Sequence, residues 1–210
     1  MTRLFLLVFL VFTSPAFAQS KAPLEEEKRE AVSYARIQTS FGDIDVELYE
    51  GLAPLTTANF LDYAKSGYYD RLIFHRVIPG VLIQGGGFNA FLGKRPTNDP
   101  VPNEASNGLK NTRGSLAMAR HQDPDSATAQ FFINLQDNPR LDRKGEVYKK
   151  DAGYTVFGQV IRGMEIADKI GAVPTGPVQA GEVYLEKGVP LDPVLILRID
   201  PLAHDPMIEE

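Results

Sequence analysis

Two short apolar runs split by a Pro-Gly turn constrain this chain more than any other stretch. They are Phe74-His75-Arg76-Val77-Ile78 and Val81-Leu82-Ile83-Gln84, joined through Pro79-Gly80 and followed by Gly85-Gly86-Gly87. Apolar neighbours flank both polar residues, Arg76 and Gln84, so each projects from a sheet rather than from a mobile loop. A second run, Gln130-Phe131-Phe132-Ile133-Asn134, again sets polar side chains beside aromatics in a strand. Together the runs predict an apolar pocket with a guanidinium at its edge and amide groups around it. Such a site suits the holding of a peptide, and no obvious nucleophile stands in it.

The remainder of the chain follows the same short-strand pattern. Ile44, Val46 and Leu48 alternate with Asp43, Asp45 and Glu47, as in a half-buried strand. Phe41-Gly42-Asp43 turns into that strand from residues 36–40. One helix is predicted with Pro54 near its start, Ala58, Leu61 and Ala64 at helical spacing, and Gly67 to end it. A second is marked by Met164, Ala167 and Ile170 and stopped by Gly171. Further apolar runs lie around 72–78, 81–84, 115–119, 130–135, 155–161 and 194–200. Many short strands, glycine-rich turns and two helices predict a mainly β fold, an antiparallel sheet closed into a barrel. Segments 91–111 and 174–193 read as long irregular surface connections. There is no internal repeat and no second domain.

The N-terminus reads as a targeting segment. Arg3 supplies a positive start, residues 4–12 are uninterruptedly apolar, and Ala16-Phe17-Ala18 fits small-x-small cleavage. The apolar run is shorter than the roughly 20 residues a membrane span needs. The expectation is therefore a signal peptide over 1–18, cleavage after Ala18, and a periplasmic protein with no stable membrane association afterwards. Residues 19–34 form a polar linker, since Glu25-Glu26-Glu27-Lys28-Arg29-Glu30 has no apolar face to bury. One domain then covers 35–202, and 203–210 is a tail. The chain has no cysteine, so it can enter an oxidising compartment without risking a disulfide. Its formal charge of −5 and lack of clustered Lys/Arg argue against nucleic-acid binding. No oligomerisation surface stands out, so a monomer is expected.

The motifs FHRVIPG-xxIQGG, NTRGSLAMAR, SATAQFFIN and YTVFGQV occur in order between Ala35 and Leu202. In this the chain resembles the cyclophilin-type peptidyl-prolyl cis–trans isomerases, especially those of the bacterial periplasm. The resemblance implies an eight-stranded barrel with a helix over each open end. It implies that the partners are proline-containing segments of unfolded or exported proteins, and that the activity is X-Pro isomerisation. Carried over by motif, Arg76 and Gln84 are catalytic, with Gln84 orienting Arg76. Phe132, Leu82 and Leu141 line the proline pocket with Val81 at its wall. Gln130 and the backbone of Arg120 hold the peptide, and the Tyr154 hydroxyl meets the substrate carbonyl. The chain departs from the family in Val81-Leu82, where Phe-Met is common, and in Arg140, where an aromatic is usual. These departures leave open a proline-segment-binding chaperone or assembly module with little turnover.

Each residue also has a plainer reading. Taken alone, Arg76 would be a structural arginine paired with a carboxylate; its occurrence with Gln84, Gln130 and Phe132 favours catalysis. Strand alternation lets only one of Phe131 and Phe132 face the pocket. His75 reads as a satisfied core histidine. His75, His121 and His204 do not form metal-ligand spacing, so no metal or other cofactor is expected. Gly85-Gly86-Gly87 lacks the Lys-Ser/Thr of a phosphate loop.

Overall fold

A computed structural model of the protein describes residues 31–145, 151–180 and 183–208. The expected signal peptide and most of the linker lie outside the described residues. Strands β1 (Ser33–Thr39) and β2 (Gly42–Leu48) form a hairpin, followed by helix α1 (Pro54–Lys65). Five short strands come next: β3 (Leu72–Ile73), β4 (Arg76–Ile78), β5 (Leu82–Gly85), β6 (Ser115–Met118) and β7 (Phe131–Asn134). The chain continues with β8 (Val156–Arg162), helix α2 (Met164–Gly171), β9 (Thr175–Ala180), β10 (Val183–Pro190) and β11 (Leu195–Leu202).

Nine of the strands make one sheet in the order β3-β11-β1-β2-β8-β6-β7-β5-β4, and the paired strands are antiparallel. The two ends of that order, β3 and β4, are consecutive in the chain, with only Phe74-His75 between them. Nine strands thus stand where eight were expected, because one segment is broken in two. At the break the chain changes partner: the Phe74 N–H donates to Val194 O at 3.0 Å, whereas Arg76 pairs with Gln84.

Period-2 alternation explains the core. Ala35, Ile37, Ile44, Val46 and Leu48 are all fully buried. Asp45 breaks the pattern, since it too is buried. Arg36 Nε reaches its Oδ1 at 2.7 Å and Arg162 Nη2 its Oδ2 at 2.5 Å, which offsets the cost of removing a carboxylate from water.

The buried stripe of α1 is Thr57, Phe60, Leu61 and Ala64, with Thr56 and Tyr63 beside it. Ala58, expected on that face, is exposed: a helix turns about 100° per residue, and Thr57 takes the inward position instead. Phe60 packs 5.3 Å from Tyr69 and from Phe157, and 5.4 Å edge-on to Phe131. Burying each such ring contributes about 1.5–3 kcal/mol. The first turn of α1 has no local side-chain cap. Glu104, from the connection at 91–111, instead accepts the N–H groups of Leu55 (3.1 Å) and Thr56 (2.8 Å), satisfying donors a helix start leaves free.

Segment 174–193 differs from the irregular connection expected. It carries the β9–β10 hairpin, with pairs from Thr175↔Pro190 to Ala180↔Val183 and a register shift between Leu185 and Val189. Its Gly and Pro residues masked the strand pattern in the sequence. The hairpin returns against β4: at Gly188 (φ 74°) a Cβ would lie 2.8 Å from Val77 O.

Candidate active site

Register places the key side chains in one row. Arg76 is opposite Gln84, Gln84 opposite Phe132, and Phe132 opposite Ala117, across β4, β5, β7 and β6. Directly opposed residues project from the same face of a sheet. Phe132 therefore shares a face with Arg76 and Gln84, while Phe131 points the other way, fully buried beside Phe60 and Phe74.

A chain of hydrogen bonds runs along that face. Arg76 Nη1 donates to Gln84 Oε1 at 3.2 Å, and Gln84 Nε2 donates to Gln130 Oε1 at 3.0 Å. Gln84 spends its carbonyl on the arginine and its amide on Gln130, so its orientation is fixed from both ends. Beside the chain lies a recess of about 230 Å³, with Arg76 and Gln84 on its polar side. Leu82, Phe132, Leu141, Tyr154 and Ala119 supply its apolar side, with Arg120 at the edge. Phe132 and Tyr154 meet edge-on at 5.7 Å. The Tyr154 N–H donates to Leu141 O at 3.0 Å, which ties those two walls together.

One residue expected at the pocket wall lies outside its lining. Val81 does not line the recess. It packs against the cluster of Leu82, Phe132 and Val156, and its carbonyl accepts from Leu135 N (2.8 Å) and Asn138 Nδ2 (3.0 Å). It belongs to the Pro79-Gly80 turn, one position before β5 begins. Gln130 lines an adjoining recess of about 140 Å³, which shares Gln84, Ala119 and Arg120 with the first. Arg140 is exposed and outside both linings.

The Arg120 side chain is itself anchored: Nε donates to Gly153 O at 2.8 Å and Nη1 to His121 O at 2.9 Å. Its guanidinium sits 4.8 Å over the Tyr154 ring, a cation–π contact that steadies this wall. Ala119 was not expected; its spacing of two from Ala117 in Gly-Ser-Leu-Ala-Met-Ala is the signal that could have found it.

His75, beneath this row, is buried and lies 4.7 Å from the Phe88 ring. Its Nδ1 has no close hydrogen-bond partner, while the Ile73 backbone and the Gln130 side chain are the polar groups that meet the ring. Burial pushes its pKa down to about 4, with a smaller downward push from the Arg76 charge. The imidazole is therefore neutral at ordinary pH.

The sequence pattern described as "Cyclophilin type peptidyl-prolyl cis-trans isomerase/CLD" matches residues 34–200. The chain belongs to the cyclophilin family. It is 50% identical over 158 residues to peptidyl-prolyl cis-trans isomerase B of Escherichia coli, covering 75% of this chain and 93% of that protein. It is 47% identical over 169 residues to a peptidyl-prolyl cis-trans isomerase of Acinetobacter baylyi, covering 80% and 85% respectively. Among solved structures, a cyclophilin from Cryptosporidium parvum superposes with a TM-score of 0.61 at 29% identity, over 83% of this chain and 99% of that one. A structure of that cyclophilin in the presence of the dipeptide Ala-Pro superposes at 0.60, again at 29% identity, over 81% and 99%. In this member of the family, the Arg76–Gln84–Gln130 chain borders the recess walled by Phe132, Leu82 and Leu141.

Proposed function

We propose that this cyclophilin is a peptidyl-prolyl cis–trans isomerase acting on exported polypeptides as they fold. The observation that carries the reading is the guanidinium of Arg76, oriented by Gln84 at the rim of a recess walled by Phe132, Leu82 and Leu141. Rotation about a prolyl bond is slow because the nitrogen lone pair is delocalised into the carbonyl, a barrier of about 20 kcal/mol. In the twisted transition state the lone pair returns to a pyramidal nitrogen and can accept a hydrogen bond. A donor aimed there stabilises the transition state and not the planar ground states, which is the condition for raising the rate.

Arg76 supplies that donor without transferring a proton, and its planar fork allows one N–H to hold Gln84 while others face the substrate. The proline ring packs on Phe132, Leu82 and Leu141. Gln130 and the neighbouring recess hold the peptide beside the bond. One charge-assisted hydrogen bond contributes about 1.5–3 kcal/mol, or roughly a 10- to 200-fold acceleration. The rest of the catalysis comes from desolvating the amide and gripping its carbonyl.

The test is a protease-coupled assay on a short Ala-Pro peptide. Arg76→Ala should lower kcat/KM by roughly tenfold or more, with an unchanged circular dichroism spectrum. Equal turnover in a folded variant would remove Arg76 from the mechanism. Peptide binding without turnover in the wild type would make the protein a proline-segment-binding module.

A further inference from the structure

A larger recess, of about 580 Å³, lies between the turn at 89–93 and the start of β11, and it shares no residue with the Arg76 pocket. Its geometry follows from one residue. β3 pairs with β11 only at Ile73↔Leu195 and Leu72↔Ile196. In that register the next pair would be Arg71 with Leu197. Arg71, however, has φ 59°, a left-handed conformation uncommon for a residue with a side chain. The chain there turns away, with the Leu72 N–H closing onto Tyr69 O at 3.1 Å. From Leu197 onward, this edge of β11 has no strand partner among the described residues. Pro201, which lacks an N–H, limits how far a new ladder could run.

The walls of the recess are apolar and rigidly presented. Phe91 is 83% exposed and Leu197 44%. Phe91 does not hang from a loose loop. Asn89 Oδ1 accepts from the N–H groups of Phe91 and Gly93, both at 2.9 Å, and Asn89 N donates to Gly93 O at 3.0 Å. Leu92 takes a second left-handed conformation (φ 58°) and is buried with Ile73 and Val189, so burying one apolar residue holds the other outward.

Two cations complete the site. Arg95 donates to the backbone carbonyls of Tyr68 and Asp70, and neither Arg95 nor Arg71 has a carboxylate partner among the described residues. The neighbouring Asp70 carboxylate turns toward Gly67. Two guanidinium groups without an ion-paired carboxylate, Arg95 held over the Tyr68 ring at 5.7 Å and Arg71 beside the apolar recess, suit an anionic ligand with an apolar body.

We propose that this recess docks an extended segment of a partner polypeptide. A bulky apolar side chain of the partner sits against Phe91, Leu195 and Leu197, a carboxylate meets Arg71, and its backbone pairs with the free edge of β11. The edge is what selects a polypeptide, since only an extended peptide uses its donors and acceptors together with the recess. The site is separate from isomerisation at Arg76.

The test uses the ¹⁵N-labelled protein and an array of proline-free peptides that combine Leu, Ile or Phe with an adjacent Asp or Glu. Binding peptides should shift amide signals within 89–95 and 195–199. Replacing their carboxylates by Lys, or the protein's Phe91→Ser or Arg71→Gly, should weaken binding at least tenfold. Arg71→Gly retains a residue suited to the left-handed turn, so the fold is kept. Turnover of the Ala-Pro peptide should be unchanged in both variants. The proposal is overturned if no peptide of the array shifts these amides, or if the shifts fall only around Arg76. It is also overturned if sedimentation shows a dimer that Phe91→Ser abolishes, which makes the occupant a second copy. Shifts of the same amides by phosphatidylglycerol vesicles, without any response to the peptides, would reassign the face to a membrane.

Discussion

Arg76 is exposed on a three-residue strand, so its direction depends on what holds it. Gln84 holds the guanidinium from across the hairpin, Gln130 holds Gln84, and His75 lies buried next in sequence. The imidazole gives this row a measurable signature. Its pKa falls from the ordinary 6.5 to about 4 in the folded protein, chiefly through burial. Below pH 6.5 the unfolded chain binds a proton that the folded one refuses. The stabilisation is complete above that value and is lost as the pH falls toward 4, about 3 kcal/mol in all. Urea denaturation between these limits should show the loss, and His75→Gln should remove its contribution from the pH dependence. A variant with the same pH dependence as the wild type would show that other groups carry it. Turnover, by contrast, should stay flat between about pH 6 and 8, because the role given to Arg76 involves no proton transfer.

At the scale of elements, β4 is held on both sides. β5 supplies its ladder, and the β9–β10 hairpin comes down on its backbone at Gly188. A Cβ there would stand 2.8 Å from Val77 O and 3.8 Å from Arg76 Cγ, on a residue whose φ is +74°. Gly188→Ala is therefore expected to cost about 1–3 kcal/mol of stability. It should also lower kcat/KM on the Ala-Pro peptide, because relief of the clash displaces the strand that carries the guanidinium. A urea midpoint and turnover both equal to the wild type would mean that the hairpin does not buttress the site. Glu104 acts in a similar way across a long separation, with a loop carboxylate capping α1 while its own N–H binds Thr155 Oγ1 at 2.9 Å, next to Tyr154.

At the scale of the whole molecule, the N-terminal segment bears on where the protein works. Arg3, the apolar run at 4–12 and Ala16-Phe17-Ala18 support export, and the absence of cysteine suits an oxidising compartment. N-terminal sequencing of protein recovered from the periplasmic fraction should read from Gln19. Intact Met1 on protein confined to the cytosol would refute the export reading, while leaving the chemistry at Arg76 unaffected.

The parts legible in the sequence were those set by local periodicity. Alternation in β2, the Pro79-Gly80 hairpin and the stripe of α2 all follow from one strand or helix at a time, whereas the choice of Phe132 over Phe131 came from the family resemblance. Asp45 looked like a solvent-facing residue because its partners, Arg36 across the β1–β2 hairpin and Arg162 from β8, reach it only through strand pairing. The β9–β10 hairpin was hidden by Gly and Pro residues whose use depends on what they pack against. Val81 was placed at the wall of the proline pocket by motif, but a motif specifies adjacency, whereas the side chains that line a recess are decided by how the strands and turns pack. The sequence alone determined the residue types of the site and the strands that bear them. Tertiary structure decided which side chains share a recess, because pairing across the sheet brings together positions far apart in the chain, and burial then sets the charge state of a group such as His75.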